Sequence, residues 1–122
     1  MKAIELRVGN IVSLYGSQAT IIPNDFQKWF QNEPNWENRA FEPIPLTEEW
    51  LLKFHSEDEI EKSKRFPNEI TIYDRFKLIW KENYKYWYVV TSDHKEYLTK
   101  IEFVHEYQNF IYALTNEELI LK

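Results

Sequence analysis

After Pro67 the hydrophobic pattern of the chain changes period, from helical spacing to runs of β-strand type. EITIY, FKLIWK and YKYWYVVT follow one another, separated by Asp74-Arg75 and by Glu82-Asn83-Tyr84. Period-two runs joined by short polar breaks predict successive antiparallel strands, and a further short strand is expected over Tyr97 to Ile101. In the third run Tyr84, Tyr86 and Tyr88 share one side while Lys85, Trp87 and Val89 share the other. Both sides carry aromatic bulk, so the expectation is a sheet covered on both faces.

The N-terminal stretch ELRVGNIVSLYGSQATII reads as a β-hairpin, with GNIVSLY and QATII joined at Gly16-Ser17. Gly9 and Gly16 are the only glycines in the chain. Two glycines within eight residues indicate backbone torsions that other residues resist, as at the corners of an SH3-like barrel.

Two segments carry the helical period instead. In PIPLTEEWLLKF, Pro45 keeps Ile44 out of the helical region and Thr47 is a good N-cap. Glu48 and Glu49 suit the positive end of the dipole, and Leu46 can staple onto Leu51. A helix over Glu48 to about Phe54 follows. In FVHEYQNFIYALTNEEL, Phe103, Val104, Tyr107, Phe110, Ile111 and Leu114 gather on one third of a helix spanning about 103–114. Asn116 can take the left-handed torsion that ends it, leaving EELIL as a final strand. Ser56 with Glu59 offers a second capping box, so SEDEIEKSKR is expected to make another helix or helical turn. Pro23 to Arg39 is a polar loop interrupted by Phe26, Trp29, Phe30 and Trp36, in which DFQKWFQN has two helical turns' worth of pattern.

The predicted architecture is a single α+β domain over residues 1–122. An SH3-like N-terminal hairpin continues into a mostly antiparallel sheet, packed by the two main helices. A length of 122 residues with 43% apolar and 17% aromatic content suits one packed core. There is no cysteine, no basic-then-apolar leader and no run long enough to span a bilayer, so a cytoplasmic protein of a bacterial cell is expected.

The net charge of −5 disfavours a whole-surface grip on nucleic acid, but its distribution is uneven. Glu42 to Glu61 holds seven acids against Lys53, a balance of −6. Lys62 to Lys85 holds seven bases against three acids, a balance of +4. Such a split is either a pair of solvated faces or a docking surface.

Candidate chemistry is sparse. His105, Glu106, Gln108 and Asn109 are groups that catalysis uses, yet no nucleophile or glycine-rich oxyanion turn accompanies them, and the helical pattern reads as core and cap. His55, His94 and His105 fall in no metal-ligand spacing, and no nucleotide or hydrolase fingerprint occurs. The expectation is a protein that is not an enzyme and needs neither cofactor nor metal. Two surfaces stand out for binding. Trp29, Phe30 and Trp36, with the Lys62, Lys64, Arg65 cluster, are candidate partner contacts, because aromatics and arginine dominate interface energetics. Tyr84, Lys85 and Tyr86 are candidate nucleic-acid contacts, since tyrosines interleaved with bases can stack on an unpaired strand.

At ELRVGNIV, PIPLTEEWLLKF and VHEYQNFIYALTNEEL the chain resembles a family of small proteins from Bacteroidetes genomes, prophages and phages, which share the three motifs in this order. His55 stands where that family often has a glycine, Asn116 replaces the glycine of its ALTGEEL form, and the aromatic insert before PIPLTEEW is longer. The resemblance implies a shared scaffold and a mobile-element setting. By analogy with phage accessory proteins that block host machinery, it also implies an anti-CRISPR-type inhibitor whose partner is a host RNA-guided nuclease or its guide RNA complex. An RNA- or single-stranded-DNA-binding module, or a structural protein, is the alternative.

Overall fold

The structure, a computed structural model, describes residues 6–7, 9–21, 41–63 and 66–121. Along the described chain run β1 (Ile11–Leu14), β2 (Ser17–Thr20), β3 (Phe41–Glu42), α1 (Glu48–Phe54), β4 (Ile60–Lys62), β5 (Glu69–Ile72), β6 (Phe76–Lys81), β7 (Tyr86–Thr91), β8 (Tyr97–Ile101) and α2 (Val104–Thr115). The protein is α+β with antiparallel sheets. Its contacts gather in two compact units, one formed by the chain up to Pro45 with Phe103–Leu119, the other by Leu46–Glu102 with the last three residues.

In the first unit the hairpin forms its own three-stranded sheet, ordered β2-β1-β3, and does not run on into the larger sheet. Its turn is also one residue earlier than Gly16-Ser17. Leu14 pairs with Ser17, and Tyr15 (φ 50°) and Gly16 (φ 84°) are both left-handed, as a two-residue type I′ turn requires. Tyr15 has a Cβ that resists this torsion and is 86% exposed, so it gains little packing in return. Tyr15→Asn is therefore expected to stabilise the protein by about 0.5–1 kcal/mol, read as a higher denaturation midpoint at unchanged slope.

Helix α2 packs against β1. Glu106 accepts the Phe103 N–H at its start (3.0 Å), and Asn116 (φ 59°) closes its end by donating its N–H to Tyr112 O (2.8 Å). The buried side is Val104, His105, Tyr107, Gln108 and Ile111, whereas Leu114 is 42% exposed and Phe103 and Phe110 are half-buried. The helix is thus rotated from the all-apolar stripe that the sequence suggests. The cause is Gln108, fully buried because its amide serves the backbone of Gly9, Ile11 and Leu119. EELIL forms no strand among the described residues. Its polar groups meet side chains instead of a ladder, Leu119 O accepting from Gln108 (3.4 Å) and Glu118 pairing with Arg7.

The second unit is built on a five-stranded antiparallel sheet ordered β4-β5-β6-β7-β8. The alternation of the sequence is honoured. Ile70, Ile72, Phe76, Leu78, Trp87, Val89 and Ile101 are buried on one face, in a unit that also buries Leu46, Leu51 and Phe54. Thr47 sits at the N-cap of α1, but its hydroxyl makes no cap hydrogen bond. The acidic stretch after α1 is not a second helix. Glu59 N–H bonds Ser56 O (3.0 Å) in a single turn, and Ile60, Glu61 and Lys62 then pair with Ile72, Thr71 and Ile70 as an edge strand. One capping turn cannot outweigh a ladder that aligns Ile60 with Ile72.

Candidate interaction face

On the face of the five-stranded sheet opposite the buried one the tyrosines are exposed or half-buried, where the two-sided aromatic pattern suggests a covered face. Register places Lys81 beside Tyr86, and Tyr88 beside Lys100. Alternation alone would send Tyr97 to the buried side. A β-bulge where Val89 faces Thr99 and Val90 faces Tyr97 leaves Leu98 unpaired and turns Tyr97 outward. Four tyrosines consequently form a continuous row. Tyr84 stacks on Tyr86 (5.5 Å between centroids, 14°), Tyr86 leans on Tyr88 (5.2 Å), and Tyr97 meets Tyr88 edge-on (5.5 Å, 81°). Tyr84 is 64% exposed and Tyr97 59%, with Tyr86 and Tyr88 half-buried between them.

Lysines complete the row. Lys81 Nζ stands 5.1 Å over the Tyr88 ring and Lys100 Nζ 5.1 Å over the Tyr86 ring, within cation–π range. Lys85, on the β6–β7 turn in a left-handed conformation (φ 59°), pairs with Glu82, which also accepts the Trp80 indole N–H (2.6 Å). The Glu82 carboxyl is held below its ordinary value by the hydrogen bond from Lys85, then by that from Trp80 and by the Lys85 charge.

The Tyr86 hydroxyl donates to Tyr88 Oη (3.2 Å). That bond first, then burial and the neighbouring phenols, pushes its pKa up to about 12. A free phenol titrates near 10, so between the two values the folded protein keeps a proton that the unfolded chain loses. The stability contributed is whole below about pH 10 and is lost as pH rises through about 12. Tyrosinate absorbance should therefore show a late step near pH 12 that is missing in Tyr86→Phe; an unchanged titration in that variant would contradict this row.

Of the other sequence-predicted contacts, Lys62 lies on β4 with its Nζ 3.0 Å from Glu48 Oε1. Trp29, Phe30, Trp36, Lys64 and Arg65 lie outside the described residues. Tyr97, Lys81 and Lys100 are members of the face that sequence reasoning missed. Tyr97 was hidden by the bulge, while Lys81 could have been found as the residue facing Tyr86 across a four-residue turn.

Side chains of the histidine-to-asparagine stretch hydrogen-bond the N-terminal segment. Gln108 Oε1 accepts the Ile11 N–H (2.7 Å), and its Nε2 donates to Gly9 O (2.9 Å). Asn109 Oδ1 accepts from Arg7 Nε (2.7 Å) and from Asn10 Nδ2 (2.9 Å). Arg7 also reaches Gln108 O (3.2 Å), pairs with Glu118 and lies 4.3 Å over the Tyr112 ring. Gly9 (φ 96°) has Glu118 Oε2 3.4 Å from where a Cβ would stand. Two of the three motifs, ELRVGNIV and VHEYQNFIYALTNEEL, are thereby joined in one network. His105 is buried and stacks on Phe103 (6.0 Å, 7°).

Among the described residues no three His, Asp or Glu side chains gather as metal ligands, and no helix is long and apolar enough to cross a membrane. No family model, curated relative or solved structure matches the chain.

Proposed function

We propose that this is a non-enzymatic binding protein of mobile-element origin, most concretely an inhibitor of a host RNA-guided nuclease acting in the bacterial cytoplasm. The observation that carries the binding reading is the open tyrosine row with its lysines. Large rigid aromatics bury much area at low entropic cost, and a monomer gains little by leaving four of them together at its surface. The motif resemblance supplies the choice of partner. Trp29, Phe30 and Trp36 and the Lys62, Lys64, Arg65 cluster are proposed as further partner contacts on the pattern of the sequence alone.

The test is target cleavage by purified guide-loaded effector nucleases, DNA- and RNA-targeting, with this protein in excess. Cleavage should be suppressed, and Tyr84→Ala with Tyr97→Ala should weaken suppression at least tenfold while leaving the fold cooperative. Undiminished cleavage by every effector tried would discard the inhibitor reading.

Lys81 and Lys100 poised over the rings favour a second reading, direct binding of single-stranded RNA or DNA. Two or three neutralised phosphates predict a roughly 25- to 100-fold loss of affinity for a labelled oligouridine between 20 and 200 mM salt. Absence of binding at low salt would leave the protein-partner reading alone.

A further inference from the structure

On the opposite side of the same sheet from the tyrosines, Trp80 and Trp87 wall a pocket of about 290 Å³ together with Thr47, Glu48, Asn68 and Ile70. We infer that this pocket is a receptor for a guanidinium group, the arginine side chain of a protein partner. Its size lies at the bottom of the roughly 300–1,000 Å³ range of small-molecule sites, enough for one long side chain.

The chemistry of the lining selects the occupant. Both indole N–H groups are already used, Trp87 Nε1 donating to Leu46 O (2.9 Å) and Trp80 Nε1 to Glu82 Oε2 (2.6 Å). The indoles therefore offer the pocket π-surface and no donor. Their centroids are 5.2 Å apart and their planes meet at 55°, so they make two walls of a box, not a single platform. Each polar lining side chain brings at least one oxygen acceptor. Glu48 brings a carboxylate, and Thr47 a hydroxyl not engaged in capping. Asn68 spends its Nδ2 on Trp80 O (3.2 Å), leaving its amide oxygen. Among the described residues that line it there is no lysine, arginine or histidine.

A carboxylate, further oxygen acceptors and two aromatic faces are what a planar, five-donor cation needs. The Glu48 carboxylate would repel an anion, and a neutral aromatic ligand would leave the oxygen acceptors unused. Lys62 holds Glu48 at 3.0 Å, but the two side chains are 53% and 43% exposed, a kind of pair worth little and readily exchanged for a bidentate ligand.

The site stands independently of the tyrosine face, and its test needs no identified partner. Nα-acetyl-arginine amide titrated into the full chain should move the indole ¹⁵N–¹H signals of Trp80 and Trp87 saturably. The uncharged citrulline analogue, and arginine amide with Glu48→Gln, should bind at least tenfold more weakly. Glu48→Gln changes an exposed position and is checked for a wild-type spectrum before titration. No saturable shift up to the solubility limit, citrulline equal to arginine, or undiminished affinity in Glu48→Gln would each overturn the proposal.

Discussion

Trp87→Ala is expected to remove about 3–5 kcal/mol of folding stability, a large part of the 5–15 kcal/mol typical of a small protein. Trp87, the second residue of β7, is 5% exposed, and its ring lies against Trp80. Truncation leaves a cavity in the buried face of the sheet and also strips Leu46 O of the indole N–H it accepts at 2.9 Å. Trp87→Phe separates the two effects. It restores most of the volume but not the donor, so a residual cost of about 1–3 kcal/mol is the share of the hydrogen bond. Urea unfolding followed by circular dichroism reads both. A cost under about 1 kcal/mol for the alanine variant would mean that Trp87 does not anchor this face.

The strands around that anchor were legible because β5 to β8 are joined by short turns. When partners are near in sequence, period-two patterning sets strand order and groups Trp87 with Val89, apart from Tyr86 and Tyr88, while packing decides which group is buried. What patterning could not supply was nonlocal. β4 was read as helix because Ser56 and Glu59 make a real local signal, while its partner strand lies beyond Ser63 to Pro67. Tyr97 reached the tyrosine row through a bulge that breaks the parity used to assign faces. Arg7 joins Asn109 across 102 positions, a link that no local window contains.

The turns show a related limit. With two glycines in the chain, left-handed torsions fall on Tyr15, Tyr73, Asp74, Lys85, His94 and Asn116. Of these, Asn116, Asp74 and His94 belong to types that tolerate the torsion, whereas the tyrosines and Lys85 are residues from which a turn would not be inferred. Lys85 and Tyr84 sit in the turn that presents the interaction face, so backbone strain and surface aromatics coincide there. Coincidence of strain with exposed aromatics is the pattern expected where a surface is retained for contact and not for stability.

The second large effect is expected at Gln108, whose burial the hydrophobic period gave no reason to expect. Gln108→Leu keeps nearly the same volume on α2, so it opens no cavity. It does withdraw the acceptor of the Ile11 N–H at 2.7 Å and the donor to Gly9 O at 2.9 Å and Leu119 O at 3.4 Å. Buried backbone groups left without partners cost about 1–3 kcal/mol each, and partial relaxation brings the expected total to about 2–4 kcal/mol. Leu114→Ala on the same helix should cost under about 1 kcal/mol, because Leu114 is 42% exposed. A helix docked by its apolar stripe reverses this order: Leu114→Ala would then cost about 2–5 kcal/mol as a core truncation, and Gln108→Leu would be neutral or stabilising. The pair of denaturation curves thus decides which side of α2 meets β1. It also decides whether the glutamine of the VHEYQN motif is held by backbone hydrogen bonding, as the described network has it, or is kept for chemistry, in which case Gln108→Leu would abolish activity at unchanged stability.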